Sequence, residues 1–189
     1  MNLLLHICCA PCSTATVEAW RQDGVRLTGV YFNPNIQPLG EHQRRYDTLL
    51  AYASKIRLPL IGEPEYDVTA WLRMVAGNDT GPARCRLCIR QRLEHTAQLA
   101  AATGMSGFST SLLVSPYQQH EIIREEGERA GREAGVEFAY RDLRPAYRRS
   151  VGLARAAGLY RQKYCGCIYS EAEAAAKPRR PKPASRGRT

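Results

Sequence analysis

Seven cysteines in three groups carry most of the chemistry that this 189-residue sequence could perform. The first group is a C-C-x-x-C run near the N-terminus, the second a C-x-x-C pair and the third a C-x-C pair: Cys8, Cys9 and Cys12, then Cys85 and Cys88, then Cys165 and Cys167. In a reducing compartment such closely spaced thiols bind metals or perform redox chemistry, whereas disulfide frameworks belong to secreted chains. The sequence therefore indicates metal or redox chemistry.

The first group is expected at a place that stabilises negative charge. The run 3–5 is continuous and apolar, which predicts a buried strand, and the chain then turns at Pro11 into a helix that Ser13 can cap. Backbone N–H groups and the helix dipole at that N-terminus favour thiolates. In open α/β sheets, ligands also bind at the carboxyl ends of the strands.

A cubane iron–sulfur cluster needs four thiolates that converge from different directions. Two pairs of cysteines could supply these thiolates. Cys8 and Cys9 lie in this turn, and Cys85 and Cys88 are expected on one side of the first turn of a later helix. Zinc is the alternative for the C-x-x-C pair, although vicinal cysteines are awkward partners on one tetrahedral ion. Cys12 is then a ligand of a second metal or a spare thiol.

The third group favours electron relay. Gly166 between Cys165 and Cys167 permits the backbone that a short disulfide ring needs, and such a strained pair is easily reduced. Two free thiols are the alternative. The segment 9–12 also looks like a thioredoxin active site, but no βα unit precedes its strand and no Trp precedes Cys9, so a thiol–disulfide oxidoreductase is the less favoured alternative.

The elements that must position these thiols alternate between strand and helix, which predicts an α/β fold with a mainly parallel sheet of about five strands and helices on both faces. The later strands are expected at 25–32, 58–61, 107–111 and 136–140, and the later helices at 41–56, 67–75, 85–103 and 119–134, with further helical turns in 145–164 and 171–176. The polar helix after Pro116 and the C-terminal part are expected over the carboxyl ends of the strands.

Charge is distributed unevenly along the chain. Six basic residues and no acid stand in 177–189, which leaves +3 of the net charge of +9 for residues 1–176. We predict one α/β domain over 1–176 and a basic disordered tail over 177–189, because the tail has no apolar residue larger than Ala after Pro178.

A second basic stretch contains one acid, Asp142, among four neighbouring arginines: Arg141, Arg144, Arg148 and Arg149. Such clustering fits RNA, with a solvated surface as the alternative.

The chain has no apolar run of membrane length, and no basic flank precedes the first apolar run as in a signal peptide. We therefore expect a cytoplasmic protein without a membrane partner.

Five motifs run in order along the chain to about residue 170. They are LLHICCAPCS at 4–13, YFNPNI at 31–36 with Glu41 and Arg45, CxxC at 85–88 with Arg92-Leu93 and Thr96-Ala97, SLLxSPY at 111–117, and YCGC at 164–167. Together they resemble the QueH-type epoxyqueuosine reductases of queuosine biosynthesis. This resemblance covers nearly the whole chain except the basic tail.

The resemblance implies a fold of the adenine nucleotide α-hydrolase (HUP) type and a redox-active disulfide between Cys165 and Cys167. It also implies a [4Fe-4S] cluster held by four cysteines: Cys8, Cys9, Cys85 and Cys88. Some members are thought to hold a separate iron, and Cys12 matches a position that carries Asp in part of the family. Which of the first three cysteines bind the cluster and which the second iron stays open.

The same resemblance implies two-electron removal of the epoxide oxygen from epoxyqueuosine at the tRNA wobble position, with electrons from a donor that the sequence does not identify. Iron acting as a Lewis acid could neutralise the departing oxygen. Proton donor candidates are His6, Tyr117 and Asp142. The four arginines would hold anticodon phosphates, and Tyr117 or Tyr31 could stack on a base.

Two other classes of protein remain for comparison. A zinc-stabilised RNA-binding module without catalysis would hold one zinc and lack colour. An ATP-using tRNA sulfur-transferase needs a glycine-rich pyrophosphate loop after the first strand, and the run Cys-Cys-Ala-Pro-Cys-Ser at 8–13 has no glycine there, which excludes ATP chemistry.

Overall fold

The computed structural model describes residues 1–62, 65–78 and 80–176. Strands and helices alternate along them in this order: β1 (Asn2–His6), α1 (Ala10–Gln22), β2 (Arg26–Val30), α2 (Leu39–Lys55), β3 (Leu60–Ile61), α3 (Val68–Val75), α4 (Gly81–Ala102), β4 (Gly107–Thr110), α5 (His120–Ala134), β5 (Glu137–Phe138), α6 (Tyr147–Ala156) and α7 (Ile168–Ala176). The basic segment 177–189, predicted to be a disordered tail, lies outside the described residues.

The strands form one parallel sheet in the order β3-β2-β1-β4-β5. The central strand is β1, in which Leu5 lies opposite Gly29 of β2 on one side and Ser109 of β4 on the other. The chain winds from β1 to β3 in one direction and then returns to continue from β4 to β5 in the other. The strand order therefore reverses between β1 and β4, where an open α/β sheet has a crevice at its carboxyl edge.

Each face of the sheet has its own apolar core. On one face Leu4 packs in a cluster with Leu93 of α4 and Ile123 of α5, whereas Leu3 and Leu5 pack on the other face with residues of α1 and α2. This explains the continuous apolar run in β1, because a parallel strand that is covered on both sides is buried at every position. The predicted α/β fold, with five parallel strands and helices on both faces, is confirmed.

The polar helix α5 lies on a face of the sheet, and the prediction that it covers the carboxyl ends of the strands is wrong. Gly127 and Gly131 allow its close approach, because a Cβ atom would lie 2.4 Å from the Phe138 ring at the first position and 2.6 Å from the Val136 carbonyl oxygen at the second. Its charged residues instead form an ion-pair network with α4, centred on the buried Glu126.

The C-terminal part crosses back over the beginning of the chain. Ser150 of α6 donates a hydrogen bond from Oγ to the Pro11 carbonyl oxygen at 2.6 Å, and its own Oγ lies 3.0 Å from Thr14 Oγ1. On α7, Tyr169 packs against Trp71 of α3 with 6.3 Å between ring centroids. No helix in the described ranges is long and apolar enough to cross a bilayer.

Candidate metal centre

The first three cysteines form a compact sulfur cluster at the carboxyl end of β1. The Sγ atoms of Cys8, Cys9 and Cys12 all lie within 4.8 Å of one another. The Cys8 backbone N–H donates to Ser111 Oγ at 3.1 Å, and the Ser111 hydroxyl lies 3.5 Å from Cys8 Sγ. Because Ser111 directly follows β4, the cluster lies at the switch point between β1 and β4. Three converging thiols there could hold a metal ion.

The helix that follows this turn begins earlier than predicted. Cys9 is the N-cap with an extended backbone, Ala10 is the first helical residue, and Pro11 occupies the first turn, where its missing N–H costs no hydrogen bond. Ser13 lies inside the helix and donates from Oγ to the Ala10 carbonyl oxygen at 2.8 Å. The predicted Ser13 cap is therefore wrong, and Cys12 lies within the first turn of α1.

Hydrogen bonds within the trio distribute its negative charge unequally. Those from Cys12 and Cys9 hold the pKa of Cys8 well below its usual value, although burial opposes them. The hydrogen bonds to Cys8 and Cys9, together with burial, raise the pKa of Cys12. The pKa of Cys9 is also raised, because its bond to Cys8 and its burial outweigh the bond from Cys12. Cys8 is thus the first thiolate of this cluster.

His6 ends β1, two residues before Cys8, and stays neutral. Burial and, to a smaller extent, the charge of Arg92 lower its pKa to about 4. One ring nitrogen lies 2.9 Å from Thr110 Oγ1 and the other 3.2 Å from the Phe32 carbonyl oxygen. Both ring nitrogens are therefore engaged in the core, where they hold the ends of three strands together.

The C-x-x-C pair lies on α4, one turn deeper than predicted. The helix begins at Gly81 with Pro82 in its first turn, so the prediction that Cys85 and Cys88 open the helix is wrong. Cys88 is buried and Cys85 is partly buried, and burial raises the pKa of Cys88 to about 11. The Sγ atoms of Cys8, Cys9 and Cys12 lie within 4.8 Å of one another, and within the described residues this group does not include Cys85 or Cys88. A cubane places its thiolates on separate irons, so its ligands need not be this close.

Arg92 is a buried cation beside the C-x-x-C pair. It follows Cys88 by one helical turn, is 3% exposed, and donates from Nε to the Cys88 carbonyl oxygen at 3.0 Å. Burial lowers the pKa of its guanidinium, and charge on the cysteines, Cys88 first among them, raises it. On the same part of α4, Ile89 and Leu93 pack in one core cluster with Cys8 and Cys9.

The C-x-C pair is asymmetric. Both thiols are free, but Cys165 is exposed and lies 3.7 Å from Gln118 Nε2, whereas Cys167 is buried beside Trp71. Gly166 has φ +152°, and a Cβ atom there would lie 2.9 Å from Ile36 Cγ1. The glycine is therefore required by its backbone conformation and by close packing on the loop that follows β2.

Arg45 and Gln37 clamp the segment that carries this pair. The buried Arg45 donates to the carbonyl oxygens of Cys165 at 2.8 Å and Tyr164 at 3.2 Å, and its Nε donates to Glu41 at 2.8 Å. The Gln37 backbone N–H donates to the Gly166 carbonyl oxygen at 2.9 Å. Sequence reasoning included Arg45 only as part of a motif, and the only local sign of the clamp is its (i, i+4) spacing from Glu41.

The two remaining candidates for catalysis are Tyr117 and Asp142, and the structure shows what each of them contacts. Tyr117 is 80% exposed, and its ring meets that of Tyr147 edge-on at 5.7 Å. Asp142 accepts hydrogen bonds from the Arg144 guanidinium, which lower its pKa to about 2. As a carboxylate near neutral pH, Asp142 carries no proton to donate, and its visible role is to hold Arg144.

Three of the four arginines expected to bind RNA pair with acids. Arg141 pairs with Asp23, Arg149 with Glu18, and Arg144 with Asp142. Arg148 is exposed and takes part in no ion pair within the described ranges. Exposed pairs are weak and exchange readily for other anions, so this surface along α1 and α6 still offers guanidinium groups.

Comparison with known proteins gives one consistent family. The family model described as "Epoxyqueuosine reductase QueH" matches residues 3–173. A protein of that name from Dehalococcoides mccartyi is 41% identical over 180 residues, covering 95% of this chain and 98% of the relative. Another from Thermotoga maritima is 34% identical over 177 residues, covering 89% and 90%.

A solved structure supports the fold. It is described as a predicted subunit of tRNA methyltransferase from Methanocaldococcus jannaschii and aligns with a TM-score of 0.54 at 12% identity, covering 81% of this chain and 74% of that one. This likeness shows that the two chains share the architecture of the five-stranded parallel sheet and its helices. With a family model and two relatives that match nearly end to end, the chain belongs to the epoxyqueuosine reductase QueH family of oxidoreductases.

Proposed function

We propose that this protein reduces epoxyqueuosine in tRNA to queuosine, the last step of queuosine biosynthesis. The observation that carries the proposal is the trio of Cys8, Cys9 and Cys12 at the switch-point edge of the sheet, packed against the helix that carries Cys85 and Cys88. Such an edge is where α/β folds bind their ligands. Membership of the family adds the substrate class to this geometry.

The proposed reaction sets three demands on the site. Both C–O bonds of the epoxide break, a C=C bond forms, and the oxygen leaves as water after taking up two electrons and two protons. The site must therefore supply electrons, protons and a means of neutralising charge on the departing oxygen. A plain RNA-binding module needs none of these, so the cysteine-rich pocket favours catalysis.

The donor set fits an iron–sulfur centre. Its candidate ligands are all thiols, which are soft ligands suited to iron–sulfur clusters and zinc, and Cys8, Cys9 and Cys88 are buried. We assign a [4Fe-4S] cluster to four cysteines, Cys8, Cys9, Cys85 and Cys88, and a second iron to Cys12. When bound, the cluster would supply electrons one at a time beside the substrate. Zinc held by the trio of Cys8, Cys9 and Cys12 is the rival, and metal analysis separates the two.

The C-x-C pair is the proposed electron store. Oxidation of the Cys165 and Cys167 thiols to a disulfide releases two electrons and two protons, which equals the demand of one reduction. The exposed position of Cys165 makes it the sulfur that an external electron donor can reach. The clamp of Arg45 and Gln37 would hold the pair in place through both states.

The substrate surface is proposed along α6 and the segment before it, which pack on α1. Arg148 is exposed and free of ion pairs in the described part of the chain, which favours it as a phosphate ligand, and Arg141, Arg144 and Arg149 could exchange their acids for phosphates. Tyr117 is too exposed to be a buried proton donor and suits stacking on an unpaired base. The free state of all seven cysteines agrees with a cytoplasmic location.

The experiment that tests this function combines metal analysis with an assay. The protein is purified without oxygen, its iron and sulfide are counted, and it is given dithionite with an anticodon stem-loop RNA that contains epoxyqueuosine. We expect a brown protein with about four or five irons per chain and RNA that loses one oxygen atom. One zinc per chain, no visible chromophore and unchanged RNA would instead establish the RNA-binding module.

A further inference from the structure

Arg92 is a buried cation without a carboxylate partner. Its side chain is 3% exposed, and none of the ion pairs within residues 1–62, 65–78 and 80–176 includes it. Its single hydrogen bond there runs from Nε to the Cys88 carbonyl oxygen at 3.0 Å. Buried charges are rare unless an opposite charge accompanies them. Something other than a carboxylate must therefore compensate this guanidinium.

Two other arginines on α4 each pair with a carboxylate, which is the usual way to compensate such a charge. Arg84 pairs with Glu173 at 2.7 Å, and Arg90 pairs with Glu126 at 2.9 Å. On the face of α4 that carries Arg92, the groups that can become negative are the thiols of Cys88 and Cys85. Burial lowers the pKa of Arg92, and charge on the cysteines raises it. Thiolates that bind a metal would therefore place negative charge beside this guanidinium.

The position of Arg92 on α4 fits this role. Cys88 precedes it by four residues and Cys85 by seven, so all three lie on one face of the helix. Ile89 and Leu93, which lie beside Cys88 and Arg92 on α4, pack in one core cluster with Cys8 and Cys9 from the end of β1. The cation therefore lies on the part of α4 that faces the other residues to which the iron–sulfur centre is assigned.

We propose that Arg92 is the fixed counter-charge of the thiolate-ligated metal centre and raises its reduction potential. The inference rests on the proposed function for the identity of that centre. Reduction adds one negative charge to a centre that is already anionic, and a cation held nearby stabilises the reduced form more than the oxidised form. Arg92 touches no reacting atom in this account. It is a positioning residue that acts through the charge of the centre.

The test compares Arg92→Met, which removes the charge, with Arg92→Lys, which keeps it. Arg132→Met is the matched control, because Arg132 is exposed near the C-terminal end of α5, at the opposite end of the sheet from the cysteines. Each iron-loaded protein is titrated anaerobically with a reductant while its absorption spectrum is followed. Iron per chain and the denaturant midpoint are measured on the same samples.

We expect Arg92→Met to weaken reduction at least tenfold, which corresponds to about 59 mV for a one-electron couple. Arg92→Lys should shift the potential less, and Arg132→Met should leave it unchanged. If Arg92→Met loses its iron while Arg92→Lys keeps it, the counter-charge is supported, since only charge separates the two variants. Full iron with an unchanged potential in Arg92→Met, or equal effects of both substitutions, would overturn the proposal.

The same samples separate this inference from the proposed function. A wild-type protein that assembles the centre but leaves epoxyqueuosine RNA unchanged contradicts the function, while the potentials still decide the role of Arg92. A raised KM for RNA with an unchanged potential in Arg92→Met would show that Arg92 binds a substrate anion instead. A wild-type protein without any iron–sulfur centre would overturn both proposals.

Discussion

At the scale of single residues, the cysteines differ in their surroundings more than in their spacing. Cys8 and Cys9 are buried at the switch point, Cys88 is buried on α4, and Cys165 is exposed to solvent. Buried thiols that face one another suit ligation, whereas an exposed thiol near a second one suits exchange with an external donor. These differences support separate roles as ligands and as an electron store.

Replacing a proposed ligand should remove the metal centre, whereas replacing a storage thiol should not. Cys85→Ser and Cys88→Ser should lose most of their iron and colour, because oxygen is a poorer ligand for this centre than thiolate. Cys165→Ser should keep the colour and turn over at least tenfold more slowly. Iron analysis and absorption spectra check both statements. Full iron in the Cys85 and Cys88 variants, or loss of iron in the Cys165 variant, would reverse the assignment.

The sequence predicts which cysteines lie together better than it predicts the residues that support them. Cys8, Cys9 and Cys12 are close in the chain, so their spacing already predicts a common turn. The local spacing of Arg45 from Glu41 and of Arg92 from Cys88 does not show which distant groups these arginines meet. Arg45, for example, bonds to the carbonyl oxygen of Cys165, a residue 120 positions away. A pattern of residue types along the chain cannot show a contact of that range.

At the scale of elements, Glu126 joins α4 to α5. It is buried and accepts hydrogen bonds from Arg86, Arg90 and Arg129. Burial raises its pKa, but these hydrogen bonds outweigh burial and hold the pKa at about 2. Because the apolar face of α5 is narrow, this network supplies part of the contact between α5 and α4. It thereby holds α4, the helix that carries the C-x-x-C pair, in place.

Glu126→Gln should destabilise the protein by about 2–3 kcal/mol, less than a fully buried pair because its arginines are partly exposed. The carboxylate stabilises the fold at pH values above its unfolded pKa of 4.5, and this stability is lost as the pH falls toward about 2. Urea unfolding of both proteins at several pH values measures the difference. Glu133→Gln is the control, since Glu133 is exposed and, among the described residues, pairs only with Arg129. An equal cost in both variants at pH 7, or a cost that does not shrink in acid, would contradict this role.

Arg45→Met should loosen the segment 164–167 without unfolding the domain. Two guanidinium bonds to the carbonyl oxygens of Tyr164 and Cys165 are lost, so the segment opens more often and its amides exchange faster. We expect exchange at least tenfold faster at Gln37, whose N–H bonds to Gly166, as measured by hydrogen–deuterium exchange. Arg44→Met is the control, because Arg44 is exposed and, within the described ranges, its guanidinium packs on the Tyr160 ring and makes no ion pair. Equal exchange in both variants would contradict the clamp.

At the scale of the whole molecule, the fold brings distant cysteines to one edge of the sheet. Alternating strands and helices predict a parallel sheet, but the order β3-β2-β1-β4-β5 is a tertiary choice that no local pattern specifies. That order places the end of β1 beside the end of β4 and creates the crevice. The prediction that α5 covers the carboxyl ends of the strands is wrong for a related reason. The polar sequence of α5 reflects an ion-pair network with α4, and that network is visible only in three dimensions.

The arginine surface along α1 and α6 should make RNA binding sensitive to salt. The affinity for an anticodon stem-loop should fall linearly on a log–log plot against salt concentration, by about 0.7 per phosphate contact for single-stranded RNA. Arg148→Ala should reduce that slope by about one contact, whereas Arg132→Ala should not, because Arg132 lies at the opposite end of the sheet. Fluorescence anisotropy over a range of salt concentrations measures both slopes. Identical slopes for the two variants would remove Arg148 from the interface.

The central claim is that thiols from three parts of the chain meet at one pocket to reduce an epoxide in tRNA. A single-turnover experiment tests it most directly: pre-reduced, iron-loaded protein is mixed in excess with stem-loop RNA that contains epoxyqueuosine, without any further reductant. The account predicts loss of one oxygen atom from the RNA and one new Cys165–Cys167 disulfide per product, both measured by mass spectrometry. RNA that keeps its oxygen despite a full iron content would contradict the account.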